Sequence, residues 1–200
     1  MVNKNNIECH IKNNEIRFYT VDYNYLEYLH NVDSEVQFSN EYNSSRHPKP
    51  FLGILIFIND IKYLIPLSSA KPKHARLNFK NTGIGHLLIR EKINISDNCD
   101  SDWIVKEIPG DEEKKYHILS ILEIKKMIPL KDGFYEKMDF ERIEDDEYVD
   151  LLKKEYLFCR SKKDLIIDKA EKLYNNQINQ NSFVRFSCDF KKLEEASFQF

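Results

Sequence analysis

The chain has 200 residues, 42% of them hydrophobic and 12% aromatic, with a formal net charge of −3. That suits a single domain, residues 1–200, with a proper core, and bulk electrostatics do not advertise a nucleic-acid binder. The longest apolar run, Phe51 to Ile58, is far too short to span a membrane, and no secretory signal precedes the scattered cysteines Cys9, Cys99, Cys159 and Cys188, so a soluble, reduced, cytoplasmic protein is expected.

Residues 1–14 are polar and Asn-rich and read as an N-terminal extension, with a weak alternation at Ile7, Cys9 and Ile11. Glu15 to Val21 alternates and is rich in β-formers, which predicts a strand. Asp22 is placed to cap a helix whose apolar positions are Tyr25, Leu26 and Leu29, with Tyr28 near that face. Val32 to Lys49 reads as a long surface loop, a kind of segment that often carries function. Phe51 to Ile58 and Ile61 to Leu67 are two β-rich runs joined by Asn59-Asp60, a pair that tolerates the left-handed geometry of a tight hairpin. Gly53 then marks either a close backbone approach or a bulge.

Shorter strands are predicted at Ile84–Arg90, Trp103–Ile108, Ile118–Leu122 and Met127–Leu130, with exposed turns at Ser96–Asp102 and Gly110–Lys114. Asp145 to Cys159 carries Tyr148, Leu151, Leu152, Tyr156 and Cys159 on one helical face. Ser161-Lys-Lys-Asp164 offers a capping box for a second helix with Leu165, Ile166, Ala170, Leu173 and Tyr174 inward. Phe183 to Cys188 reads as a closing strand, followed by a short amphipathic tail around Leu193. Strands followed by helices, without βαβ alternation, indicate an α+β fold with a largely antiparallel sheet.

The chemistry concentrates where the second hairpin strand ends, in Tyr63-Leu64-Ile65-Pro66-Leu67-Ser68-Ser69-Ala70-Lys71-Pro72-Lys73-His74. Two hydroxyls, two ammonium groups and an imidazole follow a rigid apolar support, and Pro72 makes the cluster read as a fixed extended turn. Charge is uneven around it. Arg46, Lys49, Lys62, Lys71, Lys73, Arg76 and Lys80 face the single acid Asp60 between residues 46 and 80, whereas Glu141 to Asp150 is strongly acidic and reads as a solvated helix face.

Metal hydrolysis finds little support, since the histidines lack ligand spacing, and no phosphate-binding glycine loop implies a nucleotide cofactor. Ser68-Ser69-Ala70-Lys71 fits the Ser-x-x-Lys pattern of acyl-enzyme hydrolases, but Pro72 opposes the helix that pattern needs and the accompanying elements are missing. An RNA phosphodiester suits the cluster better. Its ribose hydroxyl is a built-in nucleophile, so an enzyme need only align it, move protons and stabilise charge, without a metal. Lys71 with Ser68 or Ser69 would bind the scissile phosphate, Lys49 and Lys73 its neighbours, and His74 is a candidate proton carrier.

At these residues the chain resembles the ToxN/AbiQ endoribonucleases of type III toxin-antitoxin and phage-resistance loci. The likeness runs through Phe18-Tyr19-Thr20-Val21 with Tyr25, Tyr28 and Leu29, His47-Pro48-Lys49-Pro50-Phe51-Leu52-Gly53-Ile54, Tyr63 to Lys71, Met127-Ile128-Pro129 and Cys188 to Glu195. The resemblance implies a twisted antiparallel sheet surrounded by helices, similar to the Kid/MazF toxin fold. It also implies sequence-selective, metal-independent RNA cleavage leaving a 2′,3′-cyclic phosphate. The implied partner is a repeated RNA pseudoknot antitoxin, processed by the enzyme and then inhibiting it in a closed protein–RNA assembly.

By motif position Ser69, Ser68 and Lys71 are the expected catalytic residues. Tyr25, Lys49, Lys73, His74 and Arg76 are the expected RNA contacts, with no metal and no cofactor. Tyr25 has a packing alternative on its helix, and Lys49 and Lys73 the alternative of solvated charges. Ser44 and Ser45 stand where some relatives have an aromatic residue, leaving Tyr42 as a substitute from a shifted loop. The stretch from Ser96 to Lys114, with Trp103, looks like an elaboration beyond the shortest members. The rival function is a non-catalytic RNA-binding module or translation repressor.

Overall fold

A computed structural model describes residues 16–39, 53–77, 83–97 and 102–200. Among them are eight strands in one antiparallel sheet and four α-helices, an α+β arrangement. The expectations for residues 1–15, Tyr42, Lys49, Cys9 and Cys99 lie outside the described residues. Among the described residues, no helix is long and apolar enough to cross a membrane.

Strand β1, Phe18–Val21, leads into helix α1, Tyr23–Val32, where the Asp22 carboxylate accepts the Tyr25 amide hydrogen at 3.0 Å and satisfies one of the open donors of the first turn. Tyr25, Leu26 and Leu29 are buried, as their spacing predicts. β2, Gly53–Ile58, and β3, Ile61–Ser69, form the hairpin, with Asn59 and Asp60 both in the left-handed region at φ 50° and 63°. Gly53 is the close-approach case. A Cβ there would fall on the Ile65 carbonyl oxygen and within 2.7 Å of Leu64 Cδ2, and the ladder runs past it without a register shift.

β3 is two residues longer than predicted because β6, Asp111–Leu122, gives Leu67, Ser68 and Ser69 ladder partners in Leu122, Ile121 and Ser120. β4, Leu87–Asn94, and β5, Ile104–Ile108, flank β6, which itself begins at Asp111. The predicted turn at Gly110–Lys114 therefore shrinks to a bend around Gly110 (φ 80°), since Asp111 pairs with Ile108 on one side, Lys114 with Asn94 on the other, and the Glu113 carbonyl accepts from Ile95 N–H at 2.9 Å. The short β7, Ile128–Pro129, pairs β3 at Tyr63 and Leu64, and β8, Tyr135–Lys137, which the sequence did not suggest, closes the far edge on β1.

The helices α2, Asp146–Ser161, α3, Lys163–Gln180, and α4, Phe190–Gln199, complete the core. The predicted capping box at Ser161 does not form. α2 runs through Ser161, whose hydroxyl donates to the Phe158 carbonyl at 2.7 Å, and Lys162 alone separates the two helices. That phase leaves Leu165 exposed and puts Ile167 inside instead. Phe183 to Cys188 is not a strand either. Its backbone bonds go to a turn, Ser187 N–H to Val184 O at 3.0 Å, and to the Lys125 carbonyl, which accepts from Cys188 N at 2.9 Å. The terminal helix is fastened to the sheet by polar bonds in the core: the Tyr63 and Tyr174 hydroxyls both donate to Glu194 Oε1, and burial pushes the Tyr174 phenol up to about 12.

Candidate active site

The sheet changes partners where β3 ends. One edge of β6 is taken by β3 through Ser69, opposite Ser120, and then by β5 from Ile104, opposite Ile118. The end of a strand held by such a ladder is rigid yet open, which suits positioned chemistry. Side chains on a strand alternate, so Ser68 and Ser69 leave on opposite faces. The Ser68 hydroxyl meets the Gln37 amide at 3.0 Å, and Ser69, exposed, shares its face with the buried Ser120.

Beyond β3, Lys71 is extended (φ −132°, ψ 153°), as the following proline demands. The expected extended turn stops there. Pro72 occupies the first position of a 3-10 helix, Pro72–Arg76, where its missing N–H leaves nothing unsatisfied. Ala75 and Leu77 pack this turn onto Leu88, Ile118 and Ile121, a small second core that carries Lys71, Lys73 and Arg76 at the surface.

His74 is only 8% exposed. Its Nδ1 accepts the Lys71 amide hydrogen at 2.8 Å, and its own amide donates to the Lys71 carbonyl at 2.8 Å. Burial, then the Lys73, His86 and Lys71 charges, hold this imidazole below the usual histidine range, so it is neutral near pH 7, with Nε2 the protonated nitrogen that this acceptor role assigns. Such a ring positions the lysine backbone.

Several residues of the site were not named by the sequence reading. Glu123 N–H donates to the Pro66 carbonyl at 2.9 Å, which sets its side chain on the Ser68 face. Burial raises the Glu123 carboxyl above the ordinary range, against the pull of Lys125, Lys126, Lys73 and Lys71. A second 3-10 turn, Ile124–Lys126, supplies two of those lysines. Lys126 Nζ bonds the Glu35 carbonyl at 2.8 Å and its carboxylate, which fixes the segment that delivers Gln37 to Ser68. The signals available were the functional bias of long loops and the Lys125-Lys126 pair beside Met127-Ile128-Pro129.

Tyr25 is not brought to this cluster. It is fully buried, and its hydroxyl lies 2.9 Å from the Pro129 carbonyl and 2.8 Å from Ser197 Oγ. Pro129 pairs with Tyr63, six residues before Ser69 and about 20 Å along a strand. That is the packing alternative, and burial pushes this phenol up to about 12. Lys49, outside the described residues, has no placement.

On the Ser69 side a groove of about 770 Å³ runs from Ser69 and Ala70 past Trp103 and His117 to the start of α2. Trp103 and His117 stack with centroids 4.0 Å apart, and His117 Nδ1 lies 3.1 Å from Glu91. Asp102, Asp145, Asp146, Glu147 and Asp150 line the groove with Lys154 as a cation, so its field is opposite in sign to the Ser68 face. Among the described residues, no group of three His, Cys, Asp or Glu side chains is placed to hold a metal.

An α+β protein with hydroxyls and ammonium groups gathered at one strand end is a protein built to handle an anion such as phosphate. Comparison with known proteins sharpens this. Residues 17–197 match the model of the toxin ToxN of type III toxin-antitoxin systems, and the chain belongs to that family. It is 28% identical over 188 residues to the endoribonuclease ToxN of Bacillus thuringiensis subsp. kurstaki, covering 90% of this chain and 81% of the relative. It is 27% identical over 198 residues to the endoribonuclease AbiQ of Lactococcus lactis subsp. lactis, covering 90% and 86%. A solved structure described as showing selective toxin inhibition by a non-coding RNA pseudoknot superposes with a TM-score of 0.62 at 26% identity, over 92% of this chain and 97% of that one.

Proposed function

We propose that this chain is a cytoplasmic, metal-independent endoribonuclease toxin acting in phage defence, with residues 1–200 as one catalytic unit on a sheet of the Kid/MazF type. The observation that carries the reading is the end of β3, where Ser68, Ser69 and Lys71 follow one another on a strand held by β6, with Lys73 exposed on the next turn, in a chain whose family relatives are named endoribonucleases.

In the proposed reaction the ribose 2′-oxygen attacks the adjacent phosphorus, its proton passes to a base, and the bond to the 5′-oxygen breaks as that oxygen gains a proton. The products are a 2′,3′-cyclic phosphate and a 5′-hydroxyl. Lys71 and the Ser69 hydroxyl hold the non-bridging oxygens as charge shifts onto them, with Ser68, bonded to Gln37 on the other face of the strand, as the alternative hydroxyl. His74 keeps the Lys71 backbone in place. Lys73 and Arg76 contact flanking phosphates, which are sequence-independent grips. The inhibitor is proposed to be a repeated RNA pseudoknot in a closed protein–RNA assembly, as the pseudoknot-inhibited toxin of similar structure suggests.

The test is incubation of purified protein with RNA in excess chelator. Cleavage that persists and leaves a cyclic-phosphate end is the expected result. Tight binding with intact RNA would instead identify a non-catalytic RNA-binding module or translation repressor.

A further inference from the structure

The connector between α3 and α4, Asn181 to Asp189, is fastened at its base and bare at its tip. Val184 packs against Gly85 and the main core. Gln177 Nε2 donates to Ser187 Oγ at 2.7 Å and to the Cys188 carbonyl at 2.9 Å, and Ser187 Oγ donates to the Lys125 carbonyl at 3.1 Å. Between these anchors Arg185 and Phe186 form the tip of the turn closed by Ser187 N–H and the Val184 carbonyl.

Phe186 sits at φ 59°, the third position of a turn that favours glycine. The residue is 55% exposed, and Phe183 50%. A large apolar ring in a left-handed conformation, turned to solvent, is not explained by packing.

Cations surround that ring and lead back to the active site. The Arg185 guanidinium carbon lies 4.6 Å from the Phe186 centroid and Lys125 Nζ 5.8 Å, and Lys125 Nζ donates to the Arg185 carbonyl at 3.4 Å. Lys125 in turn shares the field around Glu123 with Lys126, Lys73 and Lys71. Backbone bonds tie the connector to the end of β6 that pairs with β3: Cys188 N–H donates to the Lys125 carbonyl at 2.9 Å, and Glu123 N–H to the Pro66 carbonyl at 2.9 Å, two residues before Ser68.

We propose that Phe186, aided by Phe183, Lys125 and Arg185, is a stacking platform for unpaired bases of substrate RNA flanking the cleaved bond. This rests on the endoribonuclease reading. Unpaired RNA is the ligand that offers both things the surface asks for, a π-face for each ring and a phosphate for each cation, whereas a duplex hides its base faces.

Phe186→Gly tests it, because glycine relieves the left-handed strain and so keeps the fold. Its melting temperature should be equal to or above that of the parent. Cleavage is followed on a short oligonucleotide covering only the cut bond and its nearest neighbours, and on a longer unpaired RNA. Binding of a non-cleavable copy of the longer RNA is read in parallel. The expected result is a KM about tenfold higher on the longer RNA, weaker binding by the same factor, an unchanged kcat and no effect on the short substrate, with Phe186→Trp restoring the parental values. Unchanged binding and KM on the longer RNA would overturn the platform while leaving the ribonuclease intact. A loss confined to a folded antitoxin RNA, or a fall in kcat on both substrates, would overturn it as well. A parent that binds the longer RNA through Phe186 but never cleaves would refute the ribonuclease reading alone.

Discussion

Ser69→Ala, compared with Ser68→Ala, separates chemistry from architecture because the two hydroxyls stand one residue apart on opposite faces of one strand. Ser69 is exposed at the last rung of β3, so removing its oxygen opens no cavity and should change stability by about 0.5 kcal/mol or less. Ser68 holds Gln37 at 3.0 Å in a partly buried contact, so its alanine variant should lose about 1 kcal/mol. If Ser69 donates to a phosphate oxygen as charge builds there, its loss should slow single-turnover cleavage on the order of a hundredfold, equivalent to about 2.7 kcal/mol of transition-state stabilisation. Affinity for a mature antitoxin repeat, spread over many contacts, should fall by only about 1 kcal/mol. Melting temperature, cleavage rate and antitoxin affinity are measured on one preparation of each variant. A folded Ser69→Ala protein that cleaves at the parental rate would refute the assignment, and Lys71→Ala becomes the next variant to measure.

Gly53→Ala should be a folding mutant, destabilised by about 3 kcal/mol in urea titration, because the new Cβ collides with β3 backbone that cannot swing aside. Lys73→Ala should weaken RNA binding and lower the slope of log affinity against log salt by about 1, and an unchanged slope would place the RNA elsewhere. Glu155, 4% exposed on α2, has its carboxyl pushed by burial from 4.5 to about 7. The folded state then binds its proton more tightly than the unfolded chain, so this group favours folding increasingly as pH falls from about 7 to 4.5 and opposes it at higher pH. Glu155→Gln should remove that dependence and exceed the parent in stability at pH 8 by up to about 3 kcal/mol, and parallel stability curves for the two proteins would refute the buried-carboxylate account.

The hairpin and the first helix were legible because local rules decide them. Asn59-Asp60 allows few geometries between two β-rich runs, and Asp22 caps wherever an amphipathic turn follows. The extension of β3 to Ser69 was not legible, since it depends on Ser120 arriving from fifty residues downstream, and no local pattern announces that ladder. The connector at Phe183–Cys188 fails for the complementary reason: its alternation suits a strand, but its backbone bonds go to Lys125 and its own turn. In the candidate site, Ser68, Ser69 and Lys71 stand in one short stretch, so the sequence alone sets them side by side. Gln37, Glu123, Lys125 and Lys126 come from two other segments whose meeting is a tertiary fact. Leu193-Glu194-Glu195 carried part of the family likeness, yet Glu194 serves the core by accepting from Tyr63 and Tyr174.

The opposite faces of the two serines also constrain how RNA approaches. The Ser69 groove is lined by five carboxylates against Lys154, and phosphate brought along it would meet repulsion at each step. Around Glu123, on the other side, act Lys125, Lys126, Lys73 and Lys71, with Lys126 paired to Glu35, so cations there outnumber acids. On the proposed function, backbone phosphates are expected on the lysine side, with the cleaved linkage at the exposed tip of β3 beside Ser69. Trp103, stacked on His117 in the acidic groove, stands on the side where phosphates would be repelled. The Trp103 stretch, an elaboration by sequence, therefore borders the same groove as Ser69, and Ser69→Ala and Trp103→Ala measured side by side would show whether that groove takes part in cleavage.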